Sequence, residues 1–239
     1  MNGAPGQGST DRGEPQRRPP DRLEADPLLQ DHPLAMRVAG ALWILSALLF
    51  LALAVPALAD RVQSVDGAIH RWAVSAEWDP AVYVAKAFGF LGSAWVTSPL
   101  MVVIAAWLAW RRRWEALATW VSAMAISQVL IGPTKDLYAR SRPPLSLVAT
   151  TGWSFPSGHA VAAATITLGA VIVLVTAGPR RRNLELLAAA FAVVMAISRV
   201  YLRAHWPSDA AAGLALGAAI AIGCAAIVHR IDAHRHATR

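Results

Sequence analysis

Apolar runs with few or no charges alternate along this chain with short polar or basic connections. Such runs cover residues 38–59, 87–110, 114–131, 160–177, 184 to about 203, and 210–228. A helix needs about 20 mostly apolar residues to cross the hydrocarbon core of a bilayer. The pattern predicts an all-α bundle of six transmembrane helices. Pro99 lies inside the second run, but neighbouring helices re-satisfy backbone groups that a proline frees. Gly132-Pro133 closes or kinks the third. The fifth is atypical: its purely apolar part, residues 186–197, rises only about 18 Å. Ser198 and Arg199 must therefore sit on helical turns near the membrane boundary.

The connections are legible too. Within residues 60–86, Val65, Ile69, Trp72, Ala73 and Ala76 recur at helical spacing. That predicts a short helix in the membrane interface, with Trp72 and Trp78 at headgroup depth. His70 falls on its polar side and is given no role. Ala57-Leu58-Ala59 mimics a signal-peptidase site, but the apolar run before it exceeds the 7 to 15 residues of a cleaved signal, so a retained helix is expected. Residues 1–35 are polar and rich in Pro, Gly, Arg and Asp, and are expected to be a disordered cytoplasmic tail. Residues 36–230 form the six-span unit, and 231–239 a short basic cytoplasmic tail.

Composition sharpens this picture. Only 15% of the 239 residues are charged, against roughly 25% in soluble domains. The net charge of +7 raises the question of nucleic acid. Its placement answers it, because basic residues cluster at the ends of apolar runs, as membrane topology requires. Of the 22 Lys and Arg, 14 fall in the tails and in the triplets Arg111–Arg113 and Arg180–Arg182. The positive-inside rule puts those segments in the cytoplasm. The expectation is a multi-pass plasma-membrane protein with both termini cytoplasmic and no nucleic-acid partner. A single cysteine, Cys224, permits no internal disulfide.

Three polar groups interrupt the apolar pattern, all on the predicted outer face. They are Lys135 with Arg142-Pro143; Pro156-Ser157-Gly158-His159; and Ser198-Arg199 with His205 and Asp209. Ionisable residues beside membrane spans are costly and functional by default. Taken singly, each has a plainer reading: Lys135 and Arg142 as interfacial anchors, Ser157-Gly158 as a cap, His205 and Asp209 as a capping pair. Their convergence on one face argues against these. Ser198 is expected to pack or cap within its helix, and Arg140 and Arg203 to be outer-face cations near lipid headgroups.

The chemistry of the set suits phosphoryl transfer, which needs charge stabilisation on three equatorial oxygens and an in-line nucleophile. Lys135, Arg142 and Arg199 supply charge, Arg as a planar fork and Lys as a point charge. Ser157-Gly158 opens a helix, where free amides bind anions. Asp209 follows His205 by one helical turn, so its carboxylate can hold one ring nitrogen and leave the other to attack. His159, on another helix, is left to protonate the leaving oxygen. Asp136 and Asp209 are the only nearby acids and the histidines lack zinc spacing, so neither a metal nor another cofactor is expected.

Lysine, six residues, Arg-Pro; then Pro-Ser-Gly-His; then Ser-Arg, five residues, His, three residues, Asp: together these resemble the three-part signature of the type-2 phosphatidic acid phosphatase superfamily. The motifs span residues 135–209, and the layout covers roughly 36–230. The resemblance implies a metal-independent lipid phosphatase acting at the outer leaflet through a phosphohistidine. It implies His205 as nucleophile, Asp209 orienting it, and His159 as general acid. Lys135, Arg142, Ser157, Gly158 and Arg199 would hold the phosphate. Substrates consistent with it are isoprenyl diphosphate carriers, phosphatidic acid and phosphatidylglycerophosphate. The Ala- and Arg-rich composition suggests a GC-rich bacterial genome, which favours the isoprenyl carrier. A phosphotransferase using the same phosphohistidine is the alternative. A non-catalytic membrane protein is disfavoured by the intact histidines. Haloperoxidases share this type of site, but the comparable members are soluble.

Overall fold

The computed structural model describes residues 32–237, and every regular element among them is an α-helix. They are α1 (His32–Ala54), α2 (Pro56–Ser75), α3 (Asp79–Leu91), α4 (Ala94–Trp110), α5 (Trp114–Tyr138), α6 (Gly158–Leu174), α7 (Pro179–Tyr201) and α8 (Pro207–Ala237). The tail expected at residues 1–35 lies mostly outside the described residues, and α1 already begins at His32.

Local chemistry sets the breaks. The first apolar run was expected to continue to residue 59, but α1 ends at Ala54 and Pro56 starts α2. Proline lacks the N–H that would continue a helix but suits a first turn. Asp79-Pro80 opens α3 in the same way, earlier than the run at residue 87 suggested. α5 runs through Pro133 to Tyr138, so Lys135 stands on its last turn instead of in a loop. α8 continues past residue 230 to Ala237.

α1, α5, α7 and α8 are each long and apolar enough to cross a membrane. α3 and α4 together make a fifth candidate, bent by 42°. α6 has only 17 residues, about 26 Å of rise. It is the buried centre of the bundle, packed against α5, α7 and α8. Large apolar side chains on α1, α4, α5 and α7, among them Leu48, Val103, Val129 and Leu187, face outward, as lipid-facing surfaces do.

The α6–α8 seam positions the chemistry. Gly213 and Gly217 lie one turn apart on α8. A Cβ at Gly213 would stand 2.7 Å from the Ser157 carbonyl oxygen, and one at Gly217 only 2.4 Å from that of Val161. Small residues at this spacing let helix backbones touch where lipid gives no hydrophobic drive. The Thr165 hydroxyl donates across the seam to the Gly217 carbonyl. The start of α6 and the start of α8 are thereby held together.

Candidate active site

All three polar groups meet at one end of the bundle. Lys135 comes from the last turn of α5, Arg142 from the loop that follows, Ser157 to His159 from the start of α6 and Arg199 from the last turn of α7. His205 lies in the α7–α8 connection and Asp209 in the first turn of α8. The Ser157 amide donates to the Asp209 carbonyl at 3.0 Å, joining two of these groups through backbone.

Arg142 is clamped by carbonyls. Nε donates to Gly152, Nη1 to Ala204, and Nη2 to Thr151 and Trp153. Nη1 also lies 3.3 Å from His205 Nε2. A guanidinium can only donate, so Nε2 is the unprotonated nitrogen and Nδ1 carries the proton. Nδ1 faces Asp209 Oδ2 at 3.7 Å, ion-pair range but longer than a hydrogen bond. Burial lowers the His205 pKa to about 4, with the Asp209 carboxylate opposing the shift. Its imidazole is therefore neutral at pH 7, with a lone pair toward the cations. Burial also lowers the pKa of Arg142, again opposed by Asp209.

Lys135 Nζ donates to the Trp153 carbonyl at 2.6 Å. His159 Nε2 donates to the Gly89 carbonyl at 3.2 Å and lies within electrostatic reach of Arg199, His205 and Arg142. Ser157 Oγ and Arg199 Nε are buried without a hydrogen-bonding partner among the described residues. Such orphans cost about 1–3 kcal/mol each, which an anion's oxygens would offset. A Cβ at Gly158 would meet nothing within 4 Å, so the start of α6 is open beside its free amides. Among the described residues no three His, Cys, Asp or Glu side chains group as metal ligands.

Several contributors were not visible in the motifs. Ser154 donates a short hydrogen bond to Asp209 Oδ2, which also accepts from the Trp206 amide. Gly89 and Gly92, at the end of α3, pack against the site. A Cβ on Gly89 would lie 2.6 Å from Arg199 Nη1, and one on Gly92 2.8 Å from His159 Cδ2. Arg140 is not a headgroup contact: it pairs with Asp209 at 2.5 Å and with Asp66 at 2.7 Å. Arg203 is buried and pairs with Glu77. Both arginines were misplaced because a cation next to a motif reads as solvated unless its acid is known. Asp66 is a third acid near the site, from α2. Asp66 and His70 do stand one helical turn apart, with Ala73 of the apolar stripe at i+7 from Asp66. Ser198 turns back onto the Met195 carbonyl.

Known proteins resemble this chain in sequence and in fold. The PAP2 superfamily model matches residues 114–232. The chain is 32% identical over 176 residues to phosphatidylglycerophosphatase B of Bacillus subtilis, covering 71% of this chain and 86% of that protein. It is 35% identical over 133 residues to an undecaprenyl-diphosphatase of Sulfolobus acidocaldarius, covering 53% of this chain and 60% of that one. The crystal structure of a transmembrane PAP2-type phosphatidylglycerolphosphate phosphatase from Bacillus subtilis superposes with a TM-score of 0.70 at 28% identity, over 82% of this chain and 96% of that one. Aquifex aeolicus LpxE shares the fold at a TM-score of 0.51 and 24% identity, over 67% and 92% of the two chains. Matched over 86% of the phosphatidylglycerophosphatase B and superposing on the PAP2-type crystal structure, this multi-pass membrane chain belongs to the PAP2 superfamily and is a phosphatase of that family.

Proposed function

We propose that the chain hydrolyses a lipid phosphate or diphosphate through a phosphohistidine on His205. The observation that carries this is the arrangement about that ring: Arg142 at Nε2, Asp209 behind Nδ1, and the open start of α6 nearby. In this reading Lys135, Arg142, Arg199, the Ser157 hydroxyl and the Gly158 and His159 amides hold the phosphoryl oxygens. Nε2 attacks phosphorus in line, a P–N bond forms, and the P–O bond to the lipid breaks. Asp209 stabilises the ring as it gains charge. His159, protonated beside the bound anion, gives its proton to the departing oxygen. It then takes a proton from water, which attacks the phosphohistidine, breaks the P–N bond and releases inorganic phosphate.

The phosphatidylglycerophosphatase relative spans more of this chain than the undecaprenyl-diphosphatase does. Phosphatidylglycerophosphate is therefore the substrate to offer first, with an isoprenyl diphosphate and phosphatidic acid beside it. The test is phosphate release by detergent-purified protein in EDTA, with His205→Ala as control. Release from one lipid that vanishes in the variant supports the proposal. Release that survives His205→Ala refutes the nucleophile, and a phosphorylated acceptor without free phosphate would indicate phosphotransfer.

We further propose six spans, α6 included, with the site extracytoplasmic and both termini cytoplasmic. The Arg triplets at the opposite end of the bundle from His205 support this orientation. In a Cys224→Ala background, Ala149→Cys should react with a membrane-impermeant maleimide on intact cells, and Arg111→Cys only after lysis. The reverse pattern would invert the topology.

A further inference from the structure

We infer that Asp66 of α2 and Arg140 form a positioning pair that holds the Asp209 carboxylate against His205, so that a helix outside the three motifs governs the nucleophile. The inference rests on the proposed role of His205. Arg140 bridges two carboxylates with its two terminal nitrogens. Nη1 donates to Asp209 Oδ1 at 2.5 Å and Nη2 to Asp66 Oδ2 at 2.7 Å. Nη1 also donates to Ser208 Oγ, and the Ser208 hydroxyl donates to Asp66 Oδ2. Asp66 Oδ1 accepts the Ser208 amide at 2.9 Å.

That last bond does the work of an N-cap from another helix. α8 begins at Pro207, so the Ser208 amide is one of its unpaired first-turn donors. A carboxylate from α2 satisfies it and complements the helix dipole. Asp66 and Asp209 are 2% and 0% exposed. A buried carboxylate survives as an ion only when paired and hydrogen-bonded, and one arginine serves both. The guanidinium also lies over the Trp206 ring at 5.6 Å, beside the residue it helps to place.

The division of Asp209 follows. Oδ1 accepts from Arg140, and Oδ2 accepts from Ser154 and the Trp206 amide and faces His205 Nδ1 at 3.7 Å. Arg140 thus sets both where the carboxylate points and how much of its charge His205 feels. The charged and titratable groups about His205 are Asp209 on α8, Arg142 in the loop, Lys135 on α5, His159 on α6 and Arg199 on α7. Arg140 and Asp66 stand behind Asp209. Removing the Asp66 charge leaves Arg140 to draw Asp209 away, which lowers the pKa of His205. Removing the Arg140 charge frees Asp209 and raises it.

The test uses full-length protein in detergent with dioctanoyl phosphatidic acid as probe, comparing wild type, Asp66→Asn, Arg140→Gln and the double variant. Loss of such a supporting contact is expected to lower kcat about 10-fold to 100-fold, with KM nearly unchanged because neither residue touches substrate. The acid limb of kcat/KM should move down in Asp66→Asn and up in Arg140→Gln. The double variant should lose less than the product of the two single losses. Where Asp66→Asn does not fold, Arg140→Lys carries the test: it keeps the charge but cannot bridge both acids, and should lower kcat alone. Activity loss with an unmoved acid limb in Asp66→Asn or Arg140→Gln, or wild-type kcat in the variants, overturns the inference. If His205→Ala is inactive while these variants are normal, only the positioning role fails. If His205→Ala is active, the nucleophile assignment fails with it.

Discussion

Replacing Gly213 by alanine adds one methyl group on the seam that joins the two halves of the site. The added Cβ would lie 2.7 Å from the Ser157 carbonyl oxygen and 3.2 Å from Ala160 Cβ. Ordinary carbon contacts begin near 3.5 Å, so α8 must withdraw from α6 by roughly 0.8 Å. The obstructing atom is backbone in a buried helix and cannot swing aside. Alanine normally favours a helix over glycine by about 1 kcal/mol, whereas overpacking costs about 1–3 kcal/mol. The net expectation is a destabilisation of about 0–2 kcal/mol. The shift separates Ser157, Gly158 and His159 from His205 and Asp209. A misplacement near 1 Å costs about 100-fold in rate, so kcat should fall about 10-fold to 100-fold. Phosphate release and thermal unfolding followed by tryptophan fluorescence, in one detergent, would read both effects. Gly132→Ala is the control, since a Cβ there meets nothing within 4 Å; it should leave both unchanged or slightly raise stability. Wild-type kcat in Gly213→Ala would refute the seam as the device that sets the site.

Other expectations follow from the same geometry. Asp209→Asn removes the charge behind His205 while keeping its shape, and should lower kcat on the order of 1,000-fold to 10,000-fold; a loss under tenfold would contradict the orienting role. Gly89→Ala places a Cβ 2.6 Å from the far end of the Arg199 side chain, which can move, so KM should rise several-fold with thermal stability unchanged. His205 has its folded pKa depressed to about 4 from 6.5. The unfolded chain therefore binds the extra proton first, and stability from the neutral ring is complete above pH 6.5 and is lost as pH falls toward 4. Thermal unfolding at pH 7.5 and pH 5 should show a smaller pH-dependent loss in His205→Gln than in wild type; equal losses would disprove the linkage.

The apolar runs and the three motifs were legible in the sequence because both are local patterns. Charge-free length near 20 residues states where a helix meets lipid. Lys135, Arg142, Ser157, Gly158, His159, Arg199, His205 and Asp209 stand at spacings that form a family motif, and a motif can be read without knowing any partner. What lay beyond reach was pairing across the chain. Asp66 is 74 residues from Arg140 and 142 from Ser208. Nothing in α2 names those partners, because an acid on an interfacial helix has the same local appearance whether it faces water or a buried arginine. Arg140 and Arg203 were misread for the same reason. Nor does a glycine at position 89 or 213 announce itself: its meaning is the backbone or side chain that approaches it, and that approach exists only once α3, α6, α7 and α8 pack. The sequence by itself determined a membrane-embedded helical chain and marked the residues for which a phosphate-handling role is proposed. The tertiary structure decided which acid each cation meets and how closely the helices come. Those are long-range facts, and in a buried site of low dielectric they control charge, tautomer and aim.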